Sequence, residues 1–400
     1  MKAKKIVLCC LGAVIAACAA VLLWPGNYYV HRALIHTYPK IDQYPIFENR
    51  VVKAAHPMPF AYAPGVNGRK VDARFEKSFE EYGTVAFLVL KGGKVYAEQY
   101  WEGYGNNTHS NSFSMAKSIV SLLIGCAISD GYIQSVEQPV SDFLPEWGEF
   151  EGQPLLIRHL LTMSAGVKWN ESSTSLFSTT TEAYYGKDLW DLTKREVLIE
   201  KPGRYFNYQS GVTQILAFLL KKATGKNIAD YASEKIWTPI GAEEDALWSL
   251  DHKNGMEKAY CCFNSNARDF ARLGQLVLQN GYWYAAPNQE DSNSVRRIAV
   301  VDSAYVAQAL SPARYLTARL PDGTESPCDM YGYQFWMLNY KGHDVKYFRG
   351  ILGQYILVIP DSDAVIVRLG HRRAKEYDPV YDYPVDINLW LEAGFDLLNR

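Results

Sequence analysis

The segment Ser112-Phe113-Ser114-Met115-Ala116-Lys117 sets a serine and a lysine three residues apart at the head of an apolar run. Positions i and i+3 share one face of a helix, so the amine of Lys117 can reach the hydroxyl of Ser114. A helix N-terminus favours negative charge developing on that oxygen. Ala116, Ile119 and Val120 surround the amine with apolar groups. Desolvation favours the uncharged form of a lysine, and an uncharged amine accepts a serine proton. The spacing alone is weak evidence, because a solvated helix face produces it as well. A second segment, Pro202-Gly203-Arg204-Tyr205-Phe206-Asn207-Tyr208-Gln209-Ser210-Gly211, places a phenol and a hydroxyl in a Gly-flanked loop directly before a helix. Tyr208 there can pass a proton to a leaving group, although an aromatic loop packed on a core reads the same way. A third, Arg349-Gly350-Ile351-Leu352-Gly353-Gln354-Tyr355, opens a strand. Its small residues let backbone lie close to a substrate, and an N–H of Ile351 or a neighbour can serve an oxyanion hole; a glycine-rich turn is the plain alternative.

The elements that must position these groups can be read from periodicity. Thr84–Leu90 and Val95–Trp101 are β-type runs about Gly92-Gly93, the pattern of a hairpin. From about 112 to 335 the texture is mainly helical: Met115, Ile119, Leu122, Leu123 and Cys126 recur at helical spacing before Gly131. Thr213–Lys222 and Ala267–Gln279 are similar, each closed by a glycine. Strands return at Gln354–Ile359 and Ala364–Leu369, and Ile387–Leu398 reads as a terminal amphipathic helix. Strands at both ends and helices between imply an α+β domain: an antiparallel sheet built from the two ends of the chain, with a helical region inserted. No repeat interrupts it.

The 400 residues suffice to bury a large core. Net charge is −2 with 21% charged residues, which offers no basic footprint for a nucleic-acid partner. Lys2, Lys4 and Lys5 precede a 19-residue uncharged run, Ile6–Trp24. That run is long enough for a membrane span, and the positive flank would leave the rest of the chain outside the cytoplasm. Cleavage after Ala17-Cys18-Ala19, or lipidation of Cys18, competes with a retained anchor. The expected organisation is an anchor or signal segment over 1–25, an extended arm over 26–75 rich in Pro, Tyr and His, and one catalytic domain over 76–400. The seven cysteines show no metal-site spacing. Cys261-Cys262 reads as packing; export would permit a disulfide, but the sequence does not show one. Neither a metal nor a cofactor is expected, and oligomeric state is open.

Taken in order, these segments resemble the serine β-lactamase-related family of class C β-lactamases, DD-peptidases, esterases and 6-aminohexanoate-oligomer hydrolases. The resemblance covers about residues 80–395. Ser114-Met115-Ala116-Lys117 resembles the nucleophile motif, Ile157–Gly166 the following helix and its Ser-Gly turn, and Tyr208-Gln209-Ser210 the Tyr-x-Asn motif. Trp237–Gly241 and Ala267–Gly274 complete the series. It implies Ser114 as nucleophile, Lys117 as base and Tyr208 as the group serving the leaving atom. It also implies substrate contacts from Gly350, Ile351, Ser210, Gln354 and Tyr185, the last in the variable stretch after Trp169. Arg158 and His159 read as structural. The pattern departs from the family in two places. Ser210 stands where the family has Asn, and Phe348-Arg349-Gly350 stands where Lys-Thr-Gly is usual. These departures favour the oligomer-hydrolase and esterase branch, acting on a small amide or ester. β-Lactamase or DD-peptidase activity and a non-catalytic cell-wall binding module are the alternatives.

Overall fold

The computed structural model describes residues 2–172, 174–284, 296–320 and 323–400. Its frame is one antiparallel sheet of six strands. Thr84–Lys91 (β1) and Lys94–Tyr100 (β2) form the hairpin, with Gly92 and Gly93 both at positive φ in the turn. Trp336–Tyr340 (β3), His343–Gly350 (β4), Gln354–Ile359 (β5) and Ala364–Gly370 (β6) come from the far end of the chain. The order is β3-β4-β5-β6-β1-β2, so β6 against β1 joins the two ends.

β3 and most of β4 lie where no strand was expected. At the start of β4 burial alternates, Val345 and Tyr347 inward and Asp344 and Lys346 not, and these interleaved charges mask the β signal in sequence. Arg349-Gly350 therefore closes one strand, and Gln354 opens the next.

Alternation also puts helices on both faces of the sheet. Gly274 of helix Ala267–Leu278 lies so close to the sheet that a Cβ would stand 2.5 Å from Val365, whereas a Cβ on Gly394 of helix Ile387–Leu398 would stand 2.2 Å from the next residue, Ile366. Between the sheet and the inserted region runs Met115–Ser129, every residue of which from Met115 to Ala127 is buried. It packs on helix Ser210–Thr224 and on β4 and β5.

The N-terminal region differs from the expected extended arm. Lys2–Leu23 is helical (α1), and Tyr28–His36 forms a second helix (α2). Asn49–Val52 pairs antiparallel with Ala246–Ser249, and Ile41 is fully buried with its carbonyl accepting from Asn111 N–H at 2.8 Å. Val30, Ala33, Phe47 and Val52 supply the apolar side chains that pull the segment onto the domain. Among the described residues no helix is long and apolar enough to cross a membrane. The side chains at 17, 18 and 21–23 lie outside those described, and with them the cleavage and Cys18 readings.

Candidate active site

Ser114 is the residue that caps the buried helix Met115–Ser129 (α3). The turn before it is tight: Phe113 adopts φ +44, and its N–H donates to Asn111 Oδ1 at 2.9 Å. A non-glycine residue in this region stores strain and persists only where its surroundings over-determine it. The result is a serine half-exposed at the floor of a cavity of about 520 Å³, the size of a small-molecule site. One turn up the helix, Lys117 is 1% exposed. Its Nζ donates to Ser114 Oγ at 2.9 Å and to the carbonyl of Tyr260 at 2.9 Å. The i, i+3 spacing thus delivers the contact it implied.

Two aromatic rings flank the amine, Tyr208 with its centroid at 5.0 Å and Tyr260 at 5.7 Å. They are not equivalent. Burial pushes the Tyr260 phenol far above its ordinary value, with Tyr184 and Glu171 adding to the shift, so it stays protonated. Tyr208, half-buried, lines the cavity alongside Tyr260 and is held by Trp336 at 5.3 Å and Tyr331 at 6.1 Å between ring centroids.

β4 approaches the turn before Ser114 closely. A Cβ on Gly350 would stand 2.2 Å from the Ser112 carbonyl, so only glycine fits there. Ile351, the next residue, lines the cavity beside Ser114. Arg349 also reaches the cavity, but its guanidinium lies over the Trp336 ring at 3.3 Å and donates to the Asp382 carbonyl at 2.5 Å.

Gln354, expected to contact substrate, does not line the cavity. It is fully buried, and its amide joins β5 to the end of β6, donating to the Gly370 carbonyl at 2.6 Å and accepting from Gly370 N–H at 3.1 Å. Ser210 does line the cavity, yet its hydroxyl is already engaged: Ser210 Oγ and N–H donate to the two oxygens of Glu171 at 2.6 and 2.7 Å. The carboxylate sits at the N-terminus of helix Ser210–Thr224, where the helix dipole favours an anion. Glu171 was not anticipated; a single acidic residue in an irregular stretch gives no sequence signal. Tyr185 lines the cavity from helix Thr179–Tyr185 (α4), but its phenol, pushed up to about 12 by burial, is spent on the Thr37 carbonyl at 2.6 Å.

His159 is structural, as expected. Its Nδ1 accepts from Leu156 N–H at 3.2 Å, it packs under Gly203, and burial beside Arg158 pushes it down to about 4. Cys261-Cys262 departs from the packing reading, because the two are joined as a disulfide of adjacent residues. Cys262 takes φ +68, a conformation that side-chain type does not announce. Cys261 borders the cavity, immediately after the carbonyl that holds Lys117. Behind this loop Lys258, fully buried, donates to the Ala183 carbonyl at 2.9 Å, and desolvation pushes it down to about 7. Among the described residues no cluster of His, Cys, Asp or Glu could hold a metal ion.

Comparison with known proteins agrees with this geometry. The Beta-lactamase family model matches residues 71–387. A 6-aminohexanoate-dimer hydrolase of Paenarthrobacter ureafaciens is 28% identical over 315 residues, 74% of either chain. Among solved structures, a Bacillus anthracis protein named as a candidate 6-aminohexanoate-dimer hydrolase superposes with a TM-score of 0.68 at 20% identity, over 88% of this chain and 91% of its own. A D-stereospecific amidohydrolase of Streptomyces superposes with a TM-score of 0.55 at 14% identity, over 83% and 96%. With the family matched over most of its length and its serine–lysine pair in hydrogen-bond contact, the chain belongs to the beta-lactamase family of serine hydrolases.

Proposed function

We propose that this hydrolase cleaves small amides or esters through an acyl-enzyme on Ser114. The observation that carries the reading is the 2.9 Å contact of Lys117 Nζ with Ser114 Oγ, made by an amine buried from solvent. Ser114 Oγ attacks the substrate carbonyl as Lys117 takes its proton. The N–H groups of Ser114 and Ile351 stabilise the oxyanion. Tyr208 delivers a proton to the leaving amine or alcohol, and water then attacks the ester on Ser114 to release the acid and restore the serine. A non-catalytic binding module has no need of this arrangement.

The amide and ester preference rests on the cation side of the cavity. A β-lactam carboxylate calls for a free cationic clamp, and a lost charge-assisted hydrogen bond costs about 1.5–3 kcal/mol. Arg349 is committed to Trp336 and Asp382. The comparison to make is kcat/KM for p-nitrophenyl butyrate against nitrocefin under one set of conditions, with the ester expected to win. A tenfold advantage for nitrocefin would mean that Arg349 or Arg373, which also borders the cavity, supplies the clamp, and that the β-lactamase reading is correct.

The lysine-flanked uncharged run Ile6–Trp24 supports a further reading, that the catalytic domain is held at a membrane on its outer side. The full chain should then resist extraction by alkaline carbonate. Release into the wash would contradict a retained anchor.

A further inference from the structure

The family match begins at residue 71, yet the cavity that holds Ser114 is not closed by residues 71–387 alone. Ala33, Thr37, Tyr38 and Pro39 also line it. They belong to α2 and the turn that follows, a part of the chain outside the matched family region.

That turn is built rather than draped. Thr37 caps α2 at φ +59 and ψ −144, and its N–H donates to the Ala33 carbonyl at 2.9 Å. A β-branched residue at positive φ is an outlier, of the kind that clusters at ligand clamps when the surroundings hold it in place. The surroundings here do so. The Tyr185 phenol donates to the Thr37 carbonyl at 2.6 Å, and the His36 ring stacks on Tyr185 at 6.2 Å. Gln43 Nε2 donates to the His36 carbonyl at 3.0 Å, and Arg32 to the Ile46 carbonyl at 2.7 Å. The strained turn directs Tyr38 and Pro39 at the cavity. Ala33, small and 6% exposed, leaves space where a larger residue would fill it. Leu176 and Tyr184 continue the same apolar lining from the domain.

We propose that residues 33–39 form a specificity-determining wall of the active site, one that receives an apolar chain of the ester or amide substrate. This rests on the acyl-enzyme reading above and adds the substrate class: molecules carrying an aliphatic or aromatic group several carbons long next to the scissile bond, in preference to acetyl-sized ones. Pocket contacts with single methylene groups discriminate by about 10–200-fold, which is the scale on which such a wall acts.

The test uses the full chain, with Tyr38→Ala and Ala33→Leu as variants. Tyr38 is 42% exposed, so its truncation spares the core; Ala33→Leu fills the space from the other side, and thermal melts check its fold. Two ester series are assayed, one lengthening the acyl group from acetate to octanoate, the other lengthening the alcohol. The parent should prefer the longer member in at least one series. In that series both variants should lower the long-to-short ratio of kcat/KM by about tenfold. A ratio within about twofold of the parent in both series, for both variants, would overturn the wall. Labelling of Ser114 by a small fluorophosphonate is run in parallel. A parent that neither labels nor hydrolyses any ester would instead overturn the hydrolase reading itself.

Discussion

On one side of the cavity, Ser114 and Lys117 stand at the head of a buried helix and Ile351 directly after β4, locked by contacts that leave no room for another residue at Gly350. On another side, Glu171, Tyr185 and residues 33–39 come from irregular stretches and short helices, held by hydrogen bonds between distant parts of the chain, Glu171 to Ser210 and Tyr185 to Thr37. In the proposed mechanism the first side carries the acyl-transfer groups, and its spacing is fixed by helix and strand geometry. The second shapes what enters. Chemistry is therefore written in local periodicity, and selectivity in long-range contacts that periodicity does not encode.

Substitutions on the two sides should separate accordingly. The largest effect is expected from Lys117→Ala, which removes the group in contact with Ser114. A positioned general base contributes about 10²–10⁴ in rate, so kcat should fall on that scale while the melting profile still shows a folded protein. Lys117→Arg should not restore it, since a guanidinium does not release its proton to act as base. A fully active arginine variant would break the assignment of this side.

Gly350→Ala comes next. Its new methyl would meet the Ser112 carbonyl at 2.2 Å, so β4 must retreat from the nucleophile turn. A displacement on the order of 1 Å costs about 10²-fold in kcat/KM. Steady-state kinetics on one ester measures this, and an unchanged rate would mean that β4 is not part of the reacting geometry.

Glu171→Gln tests the other side. It weakens the two hydrogen bonds from Ser210, each a charge-assisted bond of the class that contributes about 1.5–3 kcal/mol. The expected loss is about tenfold in kcat/KM, through a higher KM more than a lower kcat. A loss confined to kcat would move Glu171 to the chemical side of the division.

The smallest change in activity is expected at Lys258, which joins the two sides by donating to Ala183 from the loop that holds Lys117. Its signature is in stability. Burial lowers it from 10.5 to about 7, so between those values the unfolded chain binds a proton that the folded chain does not. Stability from this group therefore rises as pH increases through that window and is lost as pH falls toward about 7. Lys258→Met should flatten the rise in Tm between pH 7 and pH 9. An unchanged slope would show that the amine is not held neutral in the folded protein.

Much of the first side was legible because the serine and lysine three apart, weak evidence alone, stand in order with Ile157–Gly166, Tyr208-Gln209-Ser210 and the later segments, and because the Gly92-Gly93 hairpin and the strands at Gln354 and Ala364 have clear β periodicity. The strand His343–Gly350 was obscured by charges at alternate positions. Gln354 was implied as a substrate contact by the family resemblance, but its amide bonds to Gly370, sixteen positions away. Ser210 with Glu171 lies 39 positions apart and Tyr185 with Thr37 148 apart. The segment 26–75 has no period, so its role in the cavity could not be read from pattern, and neither could the bond between Cys261 and Cys262.

The central claim is that Ser114, activated by Lys117, forms the covalent intermediate. The direct measurement is intact mass and peptide mapping of the protein after brief exposure to a fluorophosphonate, for the parent and for Ser114→Ala. The account predicts one stoichiometric adduct in the parent, mapped to Ser114, and none in the alanine variant. An adduct of equal yield in Ser114→Ala, or one mapped to another residue in the parent, would contradict it.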